Sequence, residues 1–213
     1  HITADVAFGV VQYDAVTGDQ DFMDRCGYEI LIDTARFWAS RATWDEEKIR
    51  HVILDVIGPD EYKEHVDNNA YTNYMAAYNM ELALKAIAAL KARGGKVYER
   101  LNARFGFASA KEKIAHMLEN LYLPQPDENG IIPQFDGYMN LKRIDLTPYK
   151  QAAVVGTICS DYNQAQINTF QVHKQADTLV LLLLRNDLLP KEQKIRNYFF
   201  YESRTLHDSS LSK

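Results

Sequence analysis

The sequence predicts an all-α fold, on three observations. Apolar residues recur at helical spacing along most of the 213 residues. Only one short segment, residues 51–57, has the β-branched run that is typical of a strand. Two architectures suit such successive long helices, a toroid of helical hairpins or an open solenoid. No internal repeat of fixed period is present, which counts against a regular solenoid.

Five helices are predicted in the first 121 residues, and residue types with clear capping roles define several of their ends. Gly18 ends the first helix, and Asn68 or Asn69 can cap the third. The glycine pair Gly94-Gly95 ends that third helix. The apolar positions of the second helix are so widely distributed that we expect burial on more than one side. The five predicted helices cover residues 2–16, 21–40, 68–90, 96–104 and 108–121.

The second half of the chain begins with a long connection. Residues 124–150 contain four prolines and show no clear periodicity, and a connection of that length is usually functional or disordered. Helices are predicted again at residues 173–184 and 191–202, the latter with Pro190 in its first turn. Neither a low-complexity tract nor a convincing linker divides the sequence, which therefore predicts one domain.

Composition restricts the classes of function. Hydrophobic residues make up 46% and charged residues 25%, and the net charge is −5. This charge argues against broad binding to nucleic acid or to an anionic membrane, although a small anionic ligand needs only a few local donors. The longest strongly apolar run, residues 179–184, is too short to cross a bilayer. The two cysteines, Cys26 and Cys159, lie far apart, which predicts reduced thiols in the cytoplasm.

The most informative polar segment is residues 58–69, between the predicted strand and a capped helix. It carries carboxylates, amides and a histidine on irregular backbone, where catalytic groups are often displayed. Cleavage of a glycosidic bond needs a carboxylic acid that stays protonated near neutral pH, and aromatic neighbours raise the pKa of such an acid by desolvation. Glu61, followed by Tyr62, is the candidate. The alternative is a solvated acidic loop with an asparagine cap.

Two later segments could bind a ligand. Lys174 and Gln175 begin a predicted apolar helix, and a helix start with these residues can hold an anion or a sugar hydroxyl. The alternative is a lysine that extends from a buried helix to solvent. Residues 205–212 concentrate hydroxyls and His207, which suits phosphate, or alternatively a helix cap with a polar turn. No histidine has metal-ligand spacing, so no metal site is predicted.

Several blocks of the sequence resemble one known family. Gly58-Pro-Asp-Glu-Tyr62, followed by Asp67-Asn-Asn-Ala-Tyr-Thr-Asn-Tyr74, resembles glycoside hydrolase family 65, the maltose, kojibiose and trehalose phosphorylases. Several ordered blocks are far more specific than a single motif. The further blocks, in family order, are His1-Ile-Thr-Ala-Asp5, Thr34-Ala-Arg-Phe-Trp-Ala-Ser40, Lys174-Gln-Ala-Asp177 and Glu202-Ser-Arg-Thr-Leu-His-Asp-Ser-Ser-Leu-Ser212.

The resemblance implies an incomplete (α/α)6 barrel, a toroid of helical hairpins with long active-site loops at one end. Residues 1–213 are then part of a single catalytic domain that is truncated at both ends. Helices cut from a closed toroid expose apolar surface, so we expect the isolated chain to form a homo-oligomer. We also expect it to be inactive alone, because the resemblance places an upstream substrate-binding segment outside it.

The resemblance also implies the reaction. Glu61 is the general acid, Lys174 and Gln175 contact the sugar, and phosphate is bound by His207, Ser209 and Ser210. Phosphate attacks the anomeric carbon of a maltose-like α-glucosyl disaccharide while Glu61 protonates the departing oxygen. The products are β-glucose 1-phosphate and a free sugar. No cofactor is implied, and inorganic phosphate is the co-substrate.

Two alternatives remain open. The first is hydrolysis on the same scaffold, which requires a base carboxylate facing Glu61 to activate water. The second is a non-catalytic all-α interaction module, which would be favoured if Glu61 lay exposed and distant from Lys174 and His207. The resemblance opposes this second alternative, because it would leave several separate family blocks unexplained.

Overall fold

The computed structural model describes residues 1–209 and residue 212, and it is mostly helical, as the sequence predicts. Cα packing divides the chain into two compact units, residues 1–53 with 73–122, and residues 54–72 with the chain from Leu123 onward. None of the helices in the described ranges is long and apolar enough to cross a membrane. The helices are α1 (Ile2–Thr17), α2 (Gln20–Phe22), α3 (Tyr28–Arg41), α4 (Ala70–Arg93), α5 (Gly95–Phe105), α6 (Phe107–Asn120), α7 (Thr147–Lys150), α8 (Ile158–Asp161), α9 (Gln164–Ile167), α10 (Asp177–Leu184) and α11 (Lys191–Glu202).

The first unit is built around α3, which packs against α1 and α6. The predicted helix of residues 21–40 is present but is interrupted by a π-helical turn, Met23–Gly27, between α2 and α3. Apolar side chains of small and medium size from α1, the π-helical turn, α3 and α4 pack together in one cluster. The buried members of this cluster are Ala7, Val10, Met23, Leu31 and Ala86.

The predicted extended segment, residues 51–57, is only partly confirmed. Strands β1 (Thr43–Asp45) and β2 (Arg50–Val52) form a two-stranded antiparallel hairpin. The chain leaves this ladder after Val52, and in the second unit Val56 pairs with Val66 instead. The strand therefore ends at Val52, before the predicted end at Gly58-Pro59, and these two residues lie in the loop between Val56 and Val66.

The predicted caps position the helix that follows this loop. Asn69 is the cap of α4, because its Oδ1 accepts the backbone N–H of Thr72 at 2.9 Å. Asn68, the other candidate, instead donates to Asp136. At the far end Gly94 follows Arg93 with φ 65°, a left-handed conformation that glycine adopts at little cost. Both predicted ends of this helix are confirmed to within three residues.

The second unit has two apolar clusters beneath its loops. One contains Tyr62 together with residues of the 144–172 region and Leu206, and the other contains Tyr138 and Tyr201. The long connection of residues 124–150 is confirmed, with a short 3₁₀ turn at Tyr138–Asn140 and α7 near its end. The short helices α8 and α9 have no counterpart in the sequence prediction, because four residues are too few to show helical periodicity.

The helix predicted from His173 begins four residues late, which corrects the sequence analysis. His173 is extended and pairs with Thr205, with its N–H donating to the Arg204 carbonyl at 2.9 Å. Helix α10 begins only at Asp177. Lys174 and Gln175 therefore precede the helix instead of starting it. Tertiary hydrogen bonds to this segment outweigh its local helical preference.

Candidate active site

Glu61 lies in a closed loop. The backbone groups of Val56 and Val66 exchange two hydrogen bonds of 3.0 Å, which closes residues 56–66 into a loop. Within the loop the Lys63 N–H donates to the Asp60 carbonyl at 3.0 Å, making a tight turn around Glu61. This turn leaves the Glu61 side chain 61% exposed. The loop thus presents a carboxylate to solvent on constrained backbone.

The structure brings the loop that carries Glu61 together with Lys174 and Gln175, the two predicted sugar ligands. The Lys174 ammonium donates to the Glu61 carboxylate, and the Gln175 side-chain amide donates to the Pro59 carbonyl. In sequence these residues lie more than 110 positions apart. A non-catalytic interaction module would be favoured by a Glu61 that is both exposed and distant from Lys174. Glu61 is exposed, but it contacts Lys174.

The neighbouring aromatic residue has a different role from the one expected. Tyr62 is buried in an apolar cluster, and its hydroxyl donates to Asp208 Oδ2 at 2.6 Å. Burial, followed by the hydrogen bond to Asp208, raises the pKa of Tyr62 well above its ordinary value, so it remains a donor. Glu61 stays largely solvated beside it. In this structure Tyr62 anchors the acid loop and does not enclose Glu61 in an apolar pocket.

The predicted phosphate segment lies against Lys174. The Asp208 N–H donates to the Lys174 carbonyl at 3.2 Å, and Asp208 Oδ1 accepts the Gly156 N–H at 2.9 Å. Asp208 therefore links this segment to the acid loop through Tyr62, a role that the sequence analysis did not assign. The only available signal was a carboxylate within an otherwise hydroxyl-rich block.

His207 is held by contacts on both ring nitrogens. Its Nε2 lies 3.0 Å from Glu202 Oε2, and its Nδ1 lies 2.7 Å from Ser212 Oγ. Its backbone is left-handed, with φ 57°, which turns the chain sharply into Asp208. Ser209 follows within the described chain, whereas Ser210, the third predicted phosphate ligand, lies outside the described residues.

Lys63 is a further residue that the sequence analysis missed. It is 1% exposed, and its ammonium donates to the carbonyls of Ile167 at 2.8 Å and Phe170 at 2.5 Å. Burial lowers the pKa of Lys63 to about 8, and the charge of Asp60 opposes that shift. A lysine in an acidic loop resembles a solvated residue in sequence. Here it fastens the acid loop to the segment that follows α9.

The described residues contain no group of three histidine, cysteine, aspartate or glutamate side chains close enough to hold a metal ion. Both Cys26 and Cys159 are free thiols. The geometry instead gathers an exposed carboxylate, an ammonium group, an amide and an imidazole-bearing segment. Such a set can donate protons and hydrogen bonds to a polar, uncharged ligand or to an anion.

Comparison with known proteins gives consistent similarities. All 213 residues match the glycosyl hydrolase family 65 central catalytic domain. The kojibiose phosphorylase of Halothermothrix orenii is 43% identical over 213 residues, 100% of this chain and 27% of that protein. The α,α-trehalose phosphorylase of Thermoanaerobacter brockii is 36% identical over 217 residues, 100% of this chain and 27% of that protein.

A solved structure is also similar. It is of a protein from the human microbiome that is provisionally named a kojibiose phosphorylase, with a TM-score of 0.86 and 28% identity. The similarity covers 99% of this chain and 30% of that one. The chain thus spans roughly a quarter of the length of the curated relatives that it matches.

Proposed function

Because the chain belongs to glycosyl hydrolase family 65, matching its central catalytic domain throughout, we propose that it supplies the general acid of an inverting disaccharide phosphorylase. The observation that carries this proposal is that Lys174 contacts Glu61 and Gln175 contacts Pro59, two residues before it in the same loop. Beside them runs the segment that contains His207 and Ser209, joined to Lys174 through the Asp208 N–H. An acid, sugar donors and candidate anion donors thus occupy one place.

In the proposed reaction, Glu61 donates a proton to the glycosidic oxygen while a phosphate oxygen attacks the anomeric carbon from the opposite face. The bond from that carbon to the glycosidic oxygen breaks as its bond to phosphate forms, which inverts the configuration. The products are β-glucose 1-phosphate and a free sugar, and Glu61 regains its proton from solvent. Lys174 and Gln175 orient the glucosyl hydroxyls, and His207, Ser209 and Ser210 orient phosphate.

The carboxylates beside Glu61 favour phosphate over water as the nucleophile. An inverting hydrolase needs a second carboxylate about 6.5–9.5 Å from the acid to activate water. Asp60 is fully buried, and Asp208 accepts hydrogen bonds from both Tyr62 and Gly156. Both carboxylates are therefore engaged in structural contacts. Phosphate is already an anionic nucleophile and needs donors, which the 205–212 segment can provide.

The architecture is part of the proposal. We propose that the helices of this chain contribute to an (α/α)6 barrel whose loops at one end surround Glu61. The solved structure that resembles this chain at a TM-score of 0.86 is more than three times as long, which leaves room for the remaining helices of such a barrel.

The substrate is proposed as an α-linked glucosyl disaccharide. Among similar proteins, several are named kojibiose phosphorylases, and others are named for trehalose, nigerose and 1,2-α-glucosylglycerol. Kojibiose is therefore the first candidate, while a maltose-like linkage stays a prediction. These sugars share the glucosyl unit beside the acid and differ on the acceptor side.

The test is to incubate the full-length protein with kojibiose, nigerose, maltose or trehalose, with and without inorganic phosphate. We expect cleavage of at least one disaccharide only when phosphate is present, with one glucose 1-phosphate formed per free sugar. Equal sugar release without phosphate would identify a hydrolase instead. A folded protein that cleaves none of these sugars but binds another protein would support the interaction module.

A further inference from the structure

The residue that precedes Glu61 has a fully buried carboxylate. Asp60 is 0% exposed, although it lies in the loop that presents Glu61 to solvent. Such a charge is stable inside a protein only when donors surround it. Its four donors are His173 Nδ1 at 2.8 Å and Gln134 Nε2 at 2.9 Å, both to Oδ2, and the backbone N–H groups of Lys174 at 2.9 Å and Tyr62 at 3.3 Å, both to Oδ1.

The two backbone donors to Oδ1 connect distant parts of the site. Tyr62 directly follows Glu61, and Lys174 is the residue whose ammonium meets the Glu61 carboxylate. One oxygen atom of Asp60 therefore fixes the distance between the backbone that carries Glu61 and the backbone that carries Lys174. A group that acts in proton transfer must be held in such a geometry to be effective.

A buried chain of hydrogen bonds orients His173, one of the two donors to Asp60 Oδ2. Tyr138 is 0% exposed, and its hydroxyl lies 2.7 Å from His173 Nε2. Burial raises the pKa of Tyr138 well above its ordinary value, so the hydroxyl keeps its proton and donates to Nε2. His173 Nδ1 then carries the proton that it donates to Asp60. Successive donors thus converge on one carboxylate.

A second buried acid, Asp177, lies in the same cluster, and its pKa shifts in the opposite direction to that of Asp60. Burial, the largest effect, would raise the pKa of Asp60, but the hydrogen bonds from His173, Gln134 and the Lys174 N–H together lower that pKa below the ordinary value. For Asp177, burial and then the charge of Asp60 raise the pKa to about 6. Asp177 Oδ2 accepts from Asn69, while its Oδ1 and the nearby Gln134 Oε1 have no partner within the described residues.

We propose that Asp60 is a positioning residue whose buried negative charge holds the backbone next to Glu61 and the backbone of Lys174 in the geometry that proton transfer to the leaving group requires. This inference rests on the proposed function, because it assigns Asp60 a task in the reaction that Glu61 performs. Asp60 itself touches no substrate, since it is fully buried. Its effect is exerted through the backbone on both sides of Glu61.

The test compares two glucosyl donors in the full-length enzyme. Cleavage of a disaccharide needs an acid, whereas α-glucosyl fluoride releases fluoride with little proton assistance. Asp60→Asn places an amide N–H₂ opposite the donors of His173 and Gln134. Because two donors cannot hydrogen-bond to each other, the contacts that hold residue 60 are weakened. We expect kcat on the disaccharide to fall by about 10- to 100-fold, the size of loss that a misplacement of about 1 Å can cause. On the fluoride we expect a change below about threefold.

A double variant separates positioning from general damage. Once Glu61→Gln has removed the acid, adding Asp60→Asn should cost little more on the disaccharide, because both changes affect the same step. A folded Asp60→Asn enzyme that loses kcat equally on both donors would overturn the proposal. So would additive losses in the double variant. If Glu61→Gln alone leaves turnover unchanged, the proposed function fails, whereas a normal Asp60→Asn beside an impaired Glu61→Gln rejects only the positioning role.

Asp177→Asn is the matched control, because it makes the same chemical change at a fully buried carboxylate of the same cluster. Asp177 Oδ2 accepts from Asn69 and not from the backbone on either side of Glu61, so we expect kcat within about threefold of wild type on both donors. A loss as large as that of Asp60→Asn would overturn the assignment.

If Asp60→Asn does not fold, Tyr138→Phe is the alternative variant, because it removes only the hydroxyl that hydrogen-bonds to His173. It should then show the same selective loss on the disaccharide at smaller size, and an equal effect on both donors would overturn the proposal.

Discussion

Glu61→Gln in the full-length protein is expected to lower kcat on an unactivated disaccharide by about 10²- to 10⁴-fold, the usual contribution of a general acid. Glutamine keeps the size of the side chain and can still accept a hydrogen bond from Lys174, but it has no acidic proton to transfer to the leaving group. Because the side chain is 61% exposed, the substitution should not affect folding. Steady-state kinetics on the disaccharide, with circular dichroism as a check of the fold, provide the measurement.

The control for this experiment lies in the same loop. Glu64→Gln makes the same chemical change three residues later, where the backbone N–H and carbonyl of Glu64 exchange hydrogen bonds with the Asn168 side chain at 3.0 Å. These backbone contacts do not need the Glu64 carboxylate, so its kcat should stay near that of wild type. Near-normal turnover of a folded Glu61→Gln enzyme on the disaccharide would remove Glu61 from the role of acid.

Replacing Ser209 and Ser210 together by alanine is expected to raise the KM for phosphate much more than the KM for the sugar. Each hydroxyl is proposed to donate to the phosphate anion, and a hydrogen bond to a charged group contributes about 1.5–3 kcal/mol. The combined loss, at least about 3 kcal/mol, corresponds to a rise of at least about 100-fold in the phosphate KM. Initial rates measured across a grid of phosphate and disaccharide concentrations separate the two constants.

A serine of the first unit is the reference for this double variant. Ser40 bonds to the Phe37 carbonyl of its own helix at 2.8 Å, so Ser40→Ala should leave both KM values unchanged. If the paired serine variant instead raised the two KM values equally, the segment would contribute to the shape of the site and not to phosphate recognition.

The sequence predicted the helices well where local residues determine their ends. Asn69, Gly18 and Gly94 act through their own side chains or their own backbone freedom, and all three lie at helix ends in the structure. It failed at the start of α10, where the Asp60 carboxylate holds the Lys174 N–H and the chain pairs with Thr205. Such contacts between residues far apart in sequence cannot be derived from periodicity.

The site was predicted only in its exposed part. Family resemblance gave Glu61, Lys174 and His207, whereas Asp60 and Lys63 beside them were not identified as fully buried charges. In sequence, a run of charged residues after a glycine and a proline predicts a solvated loop. Their burial depends on donors and carbonyls more than 70 residues away along the chain. No local pattern carries that information.

The central claim, inverting transfer of a glucosyl group to phosphate by Glu61, is tested most directly by the anomeric form of the first product. Proton and phosphorus NMR during the first minutes of reaction of the full-length enzyme with its disaccharide and phosphate distinguish α- from β-glucose 1-phosphate. We expect β-glucose 1-phosphate and an equal amount of free sugar, both formed about 10²- to 10⁴-fold more slowly by Glu61→Gln. Accumulation of α-glucose 1-phosphate, or of glucose at a rate independent of phosphate, would contradict it.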